Sequence, residues 1–130
     1  MRKTVGSGAV WEDIVGYSRA VRIDNFIEVA GTTAVDENGQ IIGVNDAYIQ
    51  TNYILHKIEN AILKLGGTRR DIIRTRIYTT DINLWEDIGR AHNEFFRDIK
   101  PALTMLEVSA LIKPEMLVEI EITAFIDSDA

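Results

Sequence analysis

The chain has 130 residues, 46% of them hydrophobic and 26% charged, with a formal net charge of −6; that is enough material for one domain, residues 1–130, with a real core. It has no cysteine, which excludes a disulfide framework, a thiolate nucleophile and a cysteine-ligated metal, and its acidity disfavours a binder of phosphate backbones. No apolar run follows Met1-Arg2-Lys3-Thr4 and no stretch approaches a membrane span, so a cytoplasmic protein with no membrane or nucleic-acid partner is expected.

Residues 1–16 carry Gly6, Gly8 and Gly16 around Trp11-Glu12-Asp13-Ile14 and read as a flexible entry with one aromatic anchor. Tyr17 to Ile23 reads as a first strand, Asp24-Asn25 as a turn and Phe26 to Ala30 as the returning strand, closed by Gly31. Asp36-Glu37-Asn38-Gly39 is a second turn. A helix is predicted from Ala47 to Leu65, with Asp46 as its N-cap and Gly66-Gly67 as its stop. Ile54, Ile58, Ala61, Ile62 and Leu65 make its apolar stripe. His56, Lys57, Glu59, Asn60 and Lys64 lie mostly off that stripe, and His56 reads as a solvated surface residue.

Asp71 to Thr80 alternates as a long strand, with Ile73, Thr75, Ile77 and Thr79 on one face and Arg74, Arg76 and Tyr78 on the other. Asn83-Leu84-Trp85-Glu86 resembles a capping box with Asn in the Ser/Thr place. The helix it opens runs to about Asp98 and buries Trp85, Ile88, Phe95, Phe96 and Ile99, with His92 at the edge of the buried stripe. His56 and His92 form no metal-spaced pair, so no metal is expected.

The C-terminal third holds two alternating runs, 103–109 and 117–123, around Lys113-Pro114, which read as an antiparallel hairpin. Val118, Ile120 and Ile122 face one way. Glu119 and Glu121 face the other, together with Met105 and Glu107 of the first run. Like charges that close demand cations, and Arg74 and Arg76 are the available answer. The whole is an α+β, two-layer domain with two helices on one face of a mixed sheet. The second face is too mixed for an intramolecular core, which predicts self-association.

Pro101-Ala102, the Glu107-Val108 strand, the Lys113 loop and Val118-Glu119-Ile120-Glu121 resemble the Rid (YjgF, also called L-PSP endoribonuclease) family. So do Tyr17-Ser18, Gly31, Gln50, Asp71-Ile72-Ile73 and Glu94-Phe95-Phe96. The resemblance implies a chorismate-mutase-like fold and a homotrimer with a central barrel and small-molecule clefts between subunits. It implies hydrolysis of reactive imines and enamines such as 2-aminoacrylate to ketoacid and ammonia, with no cofactor or metal. Glu119 matches the family's water-positioning glutamate and Tyr17 its cleft tyrosine; backbone near Gly31 and Met105 completes the implied site. Leu103 stands where those deaminases carry a carboxylate-clamping arginine, and Gly89 where they carry an asparagine. Arg76 is the candidate stand-in for the clamp, unless it is committed to an ion-pair network with the glutamates. Three functions follow: imine or enamine hydrolysis, ligand binding or protein protection without turnover, and RNA cleavage, which the acidity and the lack of a histidine pair oppose.

Overall fold

The computed structural model describes residues 1–127. Strands β1 (Arg2–Val5), β2 (Ala20–Ile23), β3 (Phe26–Thr32), β4 (Ile72–Thr79), β5 (Ala102–Glu107) and β6 (Val118–Phe125) form one sheet in the order β1-β2-β3-β6-β4-β5. Every pairing is antiparallel except β4 with β5. Helices α2 (Ala47–Lys64) and α3 (Trp85–Phe96) cover one face, and a short helix α1 (Val10–Val15) precedes β2. This is the α+β architecture expected from the sequence, with two helices on one face of a mixed sheet.

The core lies between that face and the helices. Ile54, Ile58 and Ile62 of α2 and Ile88 and Phe95 of α3 pack on Ile27, Ile77, Ile120 and Ile122. Asp46 caps α2 by accepting from the Ile49 amide at 3.0 Å, and Gly66 leaves it at φ 90°, a conformation that costs a residue with a Cβ. Gln50 is fully buried; its amide donates to the carbonyls of Gly43 and Glu115 and accepts from the Leu117 amide. That side chain fastens the 113–117 loop onto α2.

The expected C-terminal hairpin does not form. β4 lies between β5 and β6, and β5 runs parallel to β4 after the crossover through α3. Burial explains the order. Val118, Ile120, Ile122 and Ala124 are all fully buried, so β6 takes a central position, while the more exposed β5 takes the edge. The parallel register sets Leu103, Met105 and Glu107 beside Thr75, Ile77 and Thr79, on the helix side. Met105 therefore packs against the core. Glu107 leaves the predicted carboxylate face altogether and accepts from the Ile82 amide at 2.9 Å.

Four smaller expectations are also corrected. Residues 1–16 are not an unstructured entry: they supply an edge strand and α1, and Glu12 is buried. β2 is shorter than predicted, and β3 continues through Gly31 to Thr32. In β4 the register shifts between Ile72 and Arg74, so Ile72 turns inward and Ile73 is exposed. Before α3 the cap is Asp81, which accepts from the Asn83 amide at the head of a 3-10 turn, and Trp85 is 56% exposed.

His92 lies at the edge of the core, as its spacing predicts. Its Nε2 is 3.0 Å from Thr75 Oγ1, its ring packs on Phe96, and burial lowers its pKa to about 4. The unfolded chain takes up this proton near pH 6.5, so stability held above that value is lost as pH falls toward 4. The loss is roughly 3 kcal/mol at most. Urea denaturation across this window should show it, and His92→Gln, which keeps a partner for Thr75, should flatten the slope.

Candidate functional site

The site begins at an irregularity in β3. Val29 pairs with Ile122 and Thr32 with Ile120, so Ala30 and Gly31 together oppose Glu121. Such a bulge turns backbone groups out of the ladder and leaves them in need of partners. Arg19 supplies them. Only 6% exposed, it donates through Nη1 to the Gly31 carbonyl at 2.7 Å and to Thr32 Oγ1 at 2.8 Å. Its Nη2 reaches the Tyr17 hydroxyl at 3.3 Å, and its Nε lies 3.5 Å from Glu12 Oε2. Glu12 in turn accepts from the amide and hydroxyl of Ser7. Burial pushes its pKa up, but Ser7 and Arg19 more than offset this and hold it below the usual carboxylate value.

Beside this cluster is a cavity of about 500 Å³. Its walls are the 6–11 loop, the end of β3, the outer side of α2 and the 112–116 loop, and Glu119 opens into it. Glu119 is half-buried and lies against Gly31, where a Cβ would come within 2.7 Å of its Oε2. Among the described residues it has no hydrogen-bond donor. Burial raises its pKa and Glu121 adds to the rise, while Arg19 opposes it. Lys57, half-buried, also lines the cavity and donates to the Val35 carbonyl at 2.9 Å.

Of the residues singled out from the sequence, Tyr17, Gly31 and Glu119 come together here. Leu103 and Met105 do not. They lie on β5, on the other side of the sheet, with Leu103 41% exposed at the edge. Arg76 faces a separate hollow shared with Tyr17 and Glu121, and its Nη1 is 4.0 Å from Glu121 Oε2. Glu121 also accepts from the Tyr78 hydroxyl at 2.5 Å, and Arg74 donates to Thr104 instead of a carboxylate. The expected network of two arginines and three glutamates thus reduces to a loose Arg76–Glu121 pair. Among the described residues no group of three or more His, Asp or Glu side chains is gathered to hold a metal.

Residues 9–126 match the family model described as endoribonuclease L-PSP. The chain belongs to this family. It is 44% identical to Rv2704 of Mycobacterium tuberculosis, described as a member of the YjgF/YER057c/UK114 family; the match covers 97% of this chain and 100% of that one, with a TM-score of 0.88. It is 29% identical to YyfA of Yersinia pestis, from the Rid protein family, over 97% of this chain and 100% of that one, with a TM-score of 0.86. It is 31% identical to the 3-aminoacrylate deaminase RutC of Acinetobacter baylyi, over 85% of this chain and 86% of that protein.

Arg19, Glu12 and Lys57 were not singled out from the sequence. Arg19 sits among residues that read as a plain strand, and Lys57 lies off the apolar stripe of its helix. Arg19 lies just before β2 with the parity opposite to core-facing Ala20, so alternation gave no sign of its burial, which comes from the β3 bulge.

Gly31 has no positive φ, and what it provides is room for the Glu119 carboxylate. Gly31→Ala should turn that flexible side chain away at a stability change under about 1 kcal/mol. Carbon-detected NMR titration should find Glu119 above the ordinary glutamate range in the wild type and closer to it in the variant.

Proposed function

We propose that this Rid/YjgF-family chain hydrolyses a small reactive imine or enamine in a cleft between the subunits of a homotrimer. The carrying observation is Glu119: a half-buried carboxylate with a raised pKa, facing a cavity, with no donor among the described residues. Such a group suits proton exchange with bound water. Glu119 orients a water molecule and takes its proton as the oxygen adds to the C=N carbon. The nitrogen gains a proton, and the resulting carbinolamine collapses to a carbonyl and ammonia. An enamine first protonates at carbon to enter the same sequence. The likeness to the 3-aminoacrylate deaminase RutC supports amine release as the reaction class.

Tyr17 and the Gly31 backbone line the Glu119 side of the cleft. Leu103 and the Met105 backbone on the β5 edge belong to a neighbouring copy's side of it, since within one chain β4 separates β5 from β6 and Leu103 faces the other side of the sheet from Glu119. The uncovered sheet face, with Arg74, Arg76, Tyr78, Glu119 and Glu121, and the unpaired edge of β5 support trimer formation. Binding without turnover is the second reading, favoured by Leu103 in place of the clamp. RNA cleavage is disfavoured by the net charge of −6.

Glu119→Gln keeps the side-chain shape and should leave the secondary structure and assembly unchanged. Any imine hydrolysis should fall by about 100-fold or more in a coupled carbonyl assay. Destabilised assembly in that variant would make Glu119 structural and favour the binding reading. Without the arginine, turnover of 2-aminoacrylate should be about one and a half to three and a half decades below that of a clamp-bearing relative, from roughly 2–5 kcal/mol of lost charged contact.

Light scattering at micromolar concentration should give the mass of three chains. A monomer would remove the inter-subunit cleft and the role given to Leu103 and Met105.

A further inference from the structure

The cavity beside Glu119 has a second polar end that imine hydrolysis leaves unused. α2 turns Lys57, Asn60 and Lys64 toward it, a spacing of three and four that sets them along one stripe of the helix. Asn60 and Lys64 are exposed, whereas Lys57 is half-buried. Lys57 Nζ is 2.9 Å from the Val35 carbonyl and 3.5 Å from the Thr33 carbonyl. An ammonium has three donors, so these two acceptors leave a third N–H for the cavity.

The two ends are joined through the end of β3 and the residue that follows it. Glu119 lies on Gly31, Arg19 binds the Gly31 carbonyl and the Thr32 hydroxyl, and Lys57 reaches the Thr33 carbonyl. Extended chain from residue 31 to 33 spans at most about 7 Å. Both groups thus line one cavity over a short stretch of chain; neither charge is among those that shift the other's pKa, whereas the Arg19 charge acts on both. Burial, then Arg19, lowers the Lys57 pKa, while Glu12 and Asp36 oppose the shift. Asp36 also lines the cavity, yet its Oδ1 is committed to the amides of Asn38 and Gln40.

We infer that Lys57 receives the carboxylate of an elongated ligand whose reacting carbon lies at Glu119. The reacting end rests on the hydrolase reading; the acid end rests on Lys57 and the shape of the cavity. Pockets of roughly 300–1,000 Å³ enclose drug-sized molecules, and this one, at about 500 Å³, is far larger than a three-carbon acid needs. The clamp lost at Leu103 thus leaves a cleft that still carries a cation, displaced toward α2 and suited to a longer acid.

The test is calorimetric titration of the assembled protein with hexanoate and with hexanamide, which differ in charge and little in shape. Hexanoate should bind at least about tenfold more tightly. Lys57→Gln, which keeps a donor for the Val35 carbonyl, should abolish the preference; Lys57→Arg, which keeps the charge, should retain it. Glu119→Gln should also retain it, because that carboxylate serves the other end. Equal affinity for the two compounds, binding of neither, or an undiminished preference in Lys57→Gln would overturn the inference. A preserved preference in a protein that hydrolyses no imine would sink the hydrolase reading alone.

Discussion

The site depends on one buried cation closing one gap in a sheet. Arg19 is nearly inaccessible and has no bidentate carboxylate; its charge is met by the Gly31 carbonyl, the Thr32 hydroxyl and, at 3.5 Å, Glu12. Burying a guanidinium is costly unless its donors are used; here Nη1 is used by the groups that the β3 bulge releases and Nη2 by the Tyr17 hydroxyl, while Nε has only the ion pair with Glu12. The bulge and the arginine require each other. Without Arg19 the Gly31 carbonyl and the Glu12 carboxylate would lose their shared partner, and the 6–16 segment would lose its tie to the sheet. The same charge lies beside Glu119 and Lys57, where it opposes the rise of one pKa and adds to the lowering of the other. Backbone geometry and site electrostatics therefore meet in a single residue.

That dependence also explains the place of α1. Val10, Ile14 and Val15 are largely exposed, so a hydrophobic face does not hold the helix down. Its inward residue is charged: Glu12, bonded to the Ser7 amide and hydroxyl and paired with Arg19. A loop fixed by a polar anchor instead of apolar packing can form one wall of a cavity without filling it, which is the role residues 6–11 have here.

What the sequence revealed follows from what periodicity encodes. The stripe on α2, the cap at Asp46 and the faces of β6 are local patterns, and all were legible. Strand pairing is not local. Alternation in 102–107 and 118–125 fits neighbours and non-neighbours alike, and parallel and antiparallel partners alike, so the apparent hairpin was indistinguishable from two strands separated by β4. That ambiguity carried Met105 and Glu107 to the wrong face. Ile73 failed for a related reason, since one irregular residue in β4 reverses the parity of what precedes it. In the site, Tyr17, Gly31 and Glu119 were reached through family resemblance. Arg19 and Lys57 matched no motif, and their importance comes from a bulge and a cavity that only tertiary structure creates.

The contrast between Glu119 and Glu121 shows how little separates a structural carboxylate from a candidate reactive one. They are two residues apart on β6 and share its helix-free face, opposite Tyr78 and Arg76 in the ladder. Glu121 lies opposite the bulge and is met by the Tyr78 hydroxyl and the Arg76 guanidinium. Glu119 lies one step further along, over the residue without a side chain, and meets space where Glu121 meets donors. A strand with strict alternation would treat the two alike. The extra residue in β3 breaks that equivalence on one side, where it brings Gly31 under Glu119 beside the cavity; on the other side β4 sets Arg76 opposite Glu121, and the Tyr78 hydroxyl reaches Glu121 as well. Two chemically identical side chains on one face thus meet different surroundings, set by the β3 irregularity on one side and the β4 partners on the other.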